Sequence, residues 1–394
     1  MSNYSDAAVA GVYQTQQGDL SDRPQPEVWW ECVLQACDDA GIPAGEIDGM
    51  IGPAAEGVGI RASLPGAVMG DLLGHPLRFH ATSTIGAAAQ SAGINLAAYA
   101  ISQGLAEVVV IATAAAGVAA GYASSDRDSA VAAMAKLSGQ YEYPYGGTRV
   151  SDYAALTRRH MYEYGTTAEQ LAEVAVAQRR SATLHPLSYQ GHRGEITIDD
   201  VLNSRMIADP LRMLDCCAIN QGGGAMIIAR TERVRRIGKH APISLLGYGE
   251  GHMFLDPNAL PDLTSFGGKI AAETAFGMAG VSPADIQVAA ISDHFTSGVL
   301  FGLEDAGFCK AGEGGAFVSG GALNIGGRLP TNTSGGFLSF SHAGSCGLFG
   351  MIEVVEQLRH EAGGSRQVEG AELAYVSGVG GMMQCSYAAV LARV

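Results

Sequence analysis

Two segments of this 394-residue sequence repeat one another, and this repeat restricts the possible folds more than any other feature. Residues 41–51 (GIPAGEIDGMI) reappear, with one insertion, as residues 280–291 (GVSPADIQVAAI). Each segment has the pattern of a helix end, a turn containing proline and a buried strand. A second pair follows in the same order, a helix and a strand within residues 91–112 and again within residues 349–376. Repeats in the same order predict two similar halves that pack together.

Apolar strands alternate with amphipathic helices along most of the chain, which is typical of an α/β layered fold. The alternative to a duplication is a chance likeness between α/β segments. Residues 118–205 have no counterpart in the second half, so they predict a mostly helical insertion carried on the first half. We therefore predict a first half of residues 1–117 plus 206–238, the insertion at 118–205, and a second half of residues 239–394.

The charge distribution argues against one class of partner and favours another. The net charge of −15 predicts no nucleic-acid partner, because binding to phosphates needs a surplus of Lys and Arg. Residues 127–193 differ from the rest of the chain, with eight basic and six acidic side chains. The basic ones are Arg127, Lys136, Arg149, Arg158, Arg159, Arg179, Arg180 and Arg193. We expect an anionic ligand to favour this stretch, and an ordinary solvated helical surface is the alternative.

Several features predict a cytoplasmic protein without a membrane span. The longest apolar run, residues 105–116, is too short to cross a bilayer. Residues 1–22 lack the basic and then apolar pattern of a secretory leader. The seven cysteines are an odd number and form no CxxC pair, so neither a zinc site nor a disulfide framework is expected.

The helix that begins near Ala87 is nearly free of bulky side chains. Residues 86–93 read GAAAQSAG, so other backbone can pack closely against them. The start of such a helix presents unpaired N–H groups and the positive end of the helix dipole. It is therefore a natural place to hold a developing oxyanion.

Six further motifs resemble those of the sterol-carrier-protein-type thiolases and the lipid-transfer thiolase-like proteins. They are RMIADPLRMLDCC (205–217), GGGAMII (222–228), SDHF (292–295), LEDAGF (303–308), GGRLPTNTSGG (326–336) and EQLRHEAG (356–363). The resemblance covers residues 9–391. It implies the thiolase fold, in which two duplicated α/β halves pack in layers and an inserted loop domain contributes to the coenzyme A site.

The resemblance also shows what this chain lacks. Family members carry a cysteine at the start of the central helix of the first half, where it forms an acyl-enzyme. Its place falls on Ala87 in this sequence, beside Gly86. The second cysteine motif of thiolases corresponds to residues 377–381 (SGVGG), which has no cysteine. We predict that backbone groups at Ala87, Gly86 and Gly380 instead line an oxyanion site.

Histidines remain in the positions that the resemblance marks as catalytic. His342 falls where thiolases carry the histidine of a Gly-His-Pro motif. His294 takes the place of the acid/base cysteine of the sterol-carrier type, and Ser292 takes the place of its histidine. Steroid side-chain aldolases, which the chain also resembles, have tyrosines at the positions of His342 and Ser292. We predict that His342, His294 and Ser292 form the catalytic group, and buried structural histidines are the alternative.

Three functions are compatible with these residues. The first is an aldolase that cleaves a 3-hydroxyacyl-CoA without a nucleophile, because a base, an acid and an oxyanion site suffice for that reaction. The second is an acyltransferase of the thiolase type, with Ser83 or Cys346 as a relocated nucleophile. The third is a non-catalytic subunit that binds acyl-CoA or a partner protein.

The resemblance implies particular ligands and partners. Coenzyme A is expected as part of the substrate, with no permanently bound cofactor and no metal in this chain. From their place in the basic stretch, we predict that Arg149, Arg179 and Arg180 contact it. The family implies a homodimer, and lipid-transfer members often act with a small protein that combines a zinc ribbon and an oligonucleotide/oligosaccharide-binding-type barrel. Any zinc would then belong to that partner.

Overall fold

We describe residues 6–52, 64–117, 148–254 and 259–394 of the chain from a computed structural model. Residues 118–147 of the predicted insertion, including Arg127 and Lys136, lie outside the described residues. The helices are α1 (Gln25–Ala40), α2 (Pro65–Leu73), α3 (Ala89–Ala92), α4 (Ile94–Ser102), α5 (Arg149–Tyr164), α6 (Ala168–Leu184), α7 (Ile198–Asn203), α8 (Thr231–Ile237), α9 (Gly267–Ala279), α10 (Thr296–Asp305), α11 (Gly314–Val318) and α12 (Gly347–Arg359).

The strands form one large sheet and one small hairpin. They are β1 (Ala7–Gln14), β2 (Gly49–Ile51), β3 (Phe79–Ala81), β4 (Val108–Ala115), β5 (Met206–Ala208), β6 (Leu211–Arg212), β7 (Gly222–Arg230), β8 (Ile243–His252), β9 (Val288–Ile291), β10 (Leu373–Gly380) and β11 (Cys385–Arg393). The order in the large sheet is β3-β2-β4-β7-β1-β8-β11-β10-β9, and β5 pairs with β6.

The two halves of the sheet have the same strand order. Counted from the centre outward, the first half runs β1, β7, β4, β2 and β3, and the second runs β8, β11, β10 and β9. A bridge from Ala289 to Thr331 takes the outermost place in the second half. The halves meet at two antiparallel pairs, Ala8 with Ser244 and Val9 with Ile243. The α/β class with two similar halves is confirmed.

Helices cover both faces of the sheet, and this layering explains why its strands are apolar on both sides. All but the last residue of β4 are buried. Helices α4 and α12 share one apolar core with strands from both halves. Helix α1 covers the opposite face of the first half, and α9 covers the corresponding face of the second. A strand buried on both faces needs a continuous apolar run rather than an alternating one.

The described part of the insertion is mostly helical, as predicted, but two of its helices, α5 and α6, pack on the second half. His160 of α5 is buried and lies 3.0 Å from the carboxylate of Glu304 on α10. His185, which directly follows α6, lies 3.6 Å from the buried carboxylate of Glu353 on α12. The insertion follows the first half in the chain, and chain order alone suggested that the first half carries it. The buried polar contacts of His160 and His185 instead join it to the second half.

Among the residues that the structure describes, no helix combines the length and the apolar character that a membrane crossing requires.

Candidate functional site

The starts of two central helices lie side by side. A short turn at Gly86–Ala88 leads into α3, and Gly347 begins α12. A methyl group built on Gly347 would lie 2.6 Å from the Ser91 hydroxyl oxygen and 3.2 Å from the Cα of Ala88, so glycine permits this close approach. The Ser345 hydroxyl links the two starts, because it accepts the Gln90 N–H at 3.1 Å and donates to the Ala87 carbonyl at 3.0 Å. Two positive helix ends therefore face one region.

The three residues predicted to line an oxyanion site are brought close together. Gly86 has a positive φ of 51°, and a methyl group there would lie 2.9 Å from the Cα of Gly380. Ala87 is the next residue, and its half-buried methyl group packs into an apolar cluster with Phe337 and Cys346. The fold thus puts a methyl group at the helix start where the resemblance would place a nucleophile.

The two predicted catalytic histidines are neighbours, although they lie 48 positions apart in the chain. The rings of His294 and His342 are perpendicular, with centroids 5.0 Å apart. The ring of Phe337 contacts both, at 4.7 Å from His294 and 6.0 Å from His342. His342 is buried and His294 is half-buried, so both rings lie in a largely dehydrated, aromatic environment.

This environment favours neutral imidazoles. Burial lowers the pKa of His342 from 6.5 to about 4. Burial lowers the pKa of His294 well below its usual value, and the charges of His342 and Arg149 add to the effect. At neutral pH both rings therefore lack the extra proton and can accept one from a substrate. A protonated ring at such a site is a strong acid.

The loop that bears His342 depends on two residues outside the predicted catalytic group. The side-chain oxygen of Asn220 accepts the backbone N–H of His342 at 2.7 Å. The buried carboxylate of Asp293 accepts the N–H groups of Phe337 at 2.7 Å and Leu338 at 3.2 Å. Burial raises the pKa of Asp293 to about 7, and these hydrogen bonds oppose the shift. In the sequence, this supporting role of Asp293 is indicated by its position directly before His294.

Ser292 is fastened to the neighbouring strand. Its hydroxyl oxygen accepts the Val379 N–H at 3.2 Å, and the side chain is buried. Val379 directly precedes Gly380, so Ser292 lies beside the strand end that approaches Gly86. The hydroxyl proton of Ser292 can still be donated, because an oxygen that accepts one hydrogen bond keeps its own O–H.

The alternative nucleophile Cys346 is poorly suited to attack. Its side chain lies in the apolar cluster and the residue is fully buried. Burial raises the pKa of its thiol well above the usual value, and Cys217 and Asp293 add to the effect. A thiol that stays protonated is a weak nucleophile. Ser83, the other alternative, lies half-buried between β3 and the turn at Gly86–Ala88.

The three arginines predicted to contact coenzyme A lie in different environments. Arg149 is exposed at the start of α5, close enough to His294 for its charge to lower the pKa of that ring. Arg180 is exposed on α6. Arg179 is buried, and its guanidinium donates to the side chains of Ser339 and Gln190. The prediction that Arg179 faces a ligand is therefore corrected, because this side chain is directed into the protein.

The fold brings together two groups of potential metal ligands that residue spacing did not reveal. The first is His294, His342 and Cys346, whose ligand atoms all lie within 4.8 Å of one another. The raised pKa of the Cys346 thiol disfavours the thiolate that a metal would require. The second group is His185, Glu353 and Glu356. There the Arg366 guanidinium lies 2.5 Å from Glu353 and already neutralises its carboxylate.

Several known proteins are similar to this chain over most of its length. The family model described as "Thiolase C-terminal domain-like" matches residues 249–393. An acetyl-CoA acetyltransferase from Methanothermobacter thermautotrophicus is 35% identical over 95% of this chain and 96% of its own length. A steroid side-chain-cleaving aldolase from Thermomonospora curvata is 33% identical over 90% of both proteins.

A solved structure supports the same relationship. The structure of an aldolase named "Ltp2-ChsH2(DUF35) aldolase" contains a chain that superimposes on this one with a TM-score of 0.84. The two chains are 31% identical, and the match covers 99% of this chain and 98% of the other.

Proposed function

This chain belongs to the thiolase superfamily, and from that premise we propose that it is a carbon–carbon lyase that cleaves a 3-hydroxyacyl-CoA by a retro-aldol reaction. The observation that carries the proposal is Ala87 at the start of the first central helix, packed in one cluster with Phe337, whose ring contacts the two neutral histidines. The methyl group of Ala87 cannot form an acyl-enzyme. Proton transfer and stabilisation of an anion remain possible at this site, and retro-aldol cleavage needs only these two.

The histidine pair provides the proton transfers. A neutral imidazole of His342 or His294 accepts the proton of the 3-hydroxyl group. The C2–C3 bond then breaks, an aldehyde or ketone leaves, and the electron pair becomes a thioester enolate. An imidazolium, or a water molecule, returns a proton to C2. The low pKa of His342 keeps its ring in the unprotonated form that can accept a proton, lowers the basicity of that ring, and makes the conjugate acid a strong proton donor.

The enolate oxygen requires hydrogen-bond donors and a positive potential. The starts of α3 and α12 supply the positive ends of two helix dipoles. Backbone groups around Ala87, Gly86 and Gly380 and the hydroxyl of Ser292 are the candidate donors. A charge that develops in a dehydrated site is stabilised more strongly by such fixed donors than it would be in water.

An acyl transfer to coenzyme A is the second candidate, and the similarity to acetyl-CoA acetyltransferases is the observation that favours it. It would need Cys346 or Ser83 as the nucleophile. The burial of Cys346 and its raised pKa weigh against this route. A subunit without activity, which binds acyl-CoA within a complex, is the remaining candidate.

The relatives suggest the substrate class and the partners. We propose a coenzyme A thioester with a steroid side chain, because the name of one relative specifies steroid side-chain cleavage. The exposed side chains of Arg149 and Arg180 are our candidates for contacts with coenzyme A. We further propose a homodimer that acts with a small zinc-ribbon and barrel protein. The pairing of Ltp2 with ChsH2(DUF35) in the name of the similar aldolase supports such a partner.

The experiment is incubation with a 3-hydroxyacyl-CoA in the absence of free coenzyme A, with and without the partner protein. A carbonyl product supports the lyase. Dependence on added coenzyme A, with a trapped acyl-enzyme, supports acyl transfer, and inertness under all conditions supports a binding role. His342→Ala should lower turnover by about a hundredfold or more and leave coenzyme A binding intact. His192→Ala, which changes an exposed histidine, is the matched control.

A further inference from the structure

A short buried turn packs against both histidines of the site. Residues Gly336–Phe340 form a single π-helical turn, and Phe337 to Phe340 are all buried. Phe337, the second residue of the turn, has a ring that contacts both histidines, and the turn ends two residues before His342. Displacement of the turn would therefore move the rings that transfer protons.

The insertion holds this turn through a dense set of hydrogen bonds. The Arg179 guanidinium donates from Nε to the Ser339 hydroxyl at 3.2 Å and from Nη2 to the side-chain oxygen of Gln190 at 2.6 Å. Gln190 in turn donates its backbone N–H to the Ser339 carbonyl at 3.1 Å and its side-chain N–H to the Leu338 carbonyl at 3.3 Å. The Ser188 hydroxyl also donates to the Ser339 carbonyl, at 2.9 Å.

Helix α6 also touches the turn directly. A methyl group built on Gly335 would lie 2.6 Å from the Cβ of Ala182, one turn along α6 from Arg179. The ring of His185, at the end of α6, packs on Phe340 with centroids 4.6 Å apart. The two segments therefore have no room to slide past one another, because packed interiors tolerate few voids.

The environment of Arg179 is unusual for a positive charge. The residue is 4% exposed, and within the described segments no carboxylate lies within 4.0 Å of its guanidinium. Burying an unneutralised charge is costly, so the side chain needs its hydrogen bonds to neutral acceptors. Arg180, the next residue, is exposed. The two consecutive arginines therefore have opposite environments: the side chain of Arg179 is directed to the turn, and that of Arg180 is directed to solvent.

We propose that Arg179 is a positioning residue: through Ser339 and Gln190 it fixes the turn at Gly336–Phe340, and so couples the inserted helices to the proton-transfer site. The kinetic part of this inference rests on the proposed function. Because Arg180 lies on the same helix and is our candidate contact for coenzyme A, the helix connects substrate binding with the position of the histidines.

The kinetic test compares neighbouring arginines. Arg179→Met should lower kcat by about 10- to 100-fold and change KM less than threefold, because a displacement near 1 Å can cost that much. Arg180→Gln should mainly raise KM and lower kcat far less than Arg179→Met does. Ser339→Ala should lower kcat less than Arg179→Met, and the double variant should be no worse than Arg179→Met alone. Arg235→Gln, an exposed site on α8, is the control without an effect.

A second measurement does not depend on activity. Amide hydrogen exchange should become at least tenfold faster in residues 337–342 of Arg179→Met and Ser339→Ala, with β10 unchanged. Unchanged protection in this segment, or equal and independent losses of kcat in the two single variants, would overturn the proposal. If the wild type has no lyase activity but the exchange rises locally, the proposed function fails and the role of Arg179 stands. Ser339→Ala decides the test if Arg179→Met does not fold.

Discussion

His342→Asn should remove a specific part of the pH dependence of folding. In the folded chain, burial lowers the pKa of His342 from 6.5 to about 4. The unfolded chain takes up a proton on this side chain as the pH falls through 6.5, and the folded chain does so only near 4. Between these two pKa values the unfolded chain binds more protons than the folded chain. The free energy of unfolding that depends on the neutral ring is therefore fully present above pH 6.5 and falls as the pH is lowered.

The magnitude follows from the two pKa values. Between pH 7.5 and pH 5 the linkage relation gives a loss of about 2 kcal/mol for a single histidine with these values, and the full loss below pH 4 is about 3 kcal/mol. The side chain is buried, so solvent screening removes little of this effect. Asp293 contributes the opposite sign, because its pKa is raised to about 7 in the folded chain.

Urea unfolding of the wild type and of His342→Asn at pH 7.5 and pH 5 isolates the effect. The contribution of Asp293 cancels in the difference between the two proteins, whereas that of His294 does not cancel fully, because the charge of His342 lowers the His294 pKa and this coupling adds to the loss in the wild type. From pH 7.5 to pH 5 the free energy of unfolding of the wild type should fall by about 2 kcal/mol more than that of the variant. His192→Asn reports what an exposed histidine contributes. Equal losses in the wild type and His342→Asn would show that the ring is hydrated, and His342 could then not be a neutral buried base.

Three further outcomes are expected. Gly86→Ala should destabilise by about 2 kcal/mol or more in thermal melts, because of its positive φ and the clash with the β10 backbone. Gly277 lies in helix α9, and a methyl group built on it would have no atom within 4 Å, so Gly277→Ala should stabilise the folded chain by about 0.5–1 kcal/mol. Ala87→Cys should introduce a thiol that iodoacetamide alkylates faster than any native cysteine, as peptide mass spectrometry would show, because a helix start lowers a thiol pKa.

Features encoded by local pattern could be predicted from the sequence. The strand and helix periods and the repeat at residues 41–51 and 280–291 predicted the α/β class and the two similar halves. The resemblance to thiolases, rather than any residue period, pointed to Ala87 and to His294 and His342 among ten histidines. The prediction of the α/β class succeeds because backbone propensity and side-chain period act over a few neighbouring residues.

Only the tertiary structure decided which side chains are buried and what they contact. Arg179 and Arg180 are equivalent in sequence, yet one is buried against Ser339 and the other is exposed. Asn220 supports His342 from 122 positions away, without a motif that links them. The physical reason is that burial and long-range hydrogen bonds depend on how distant helices and strands pack, and the low pKa values of the histidines follow from that burial.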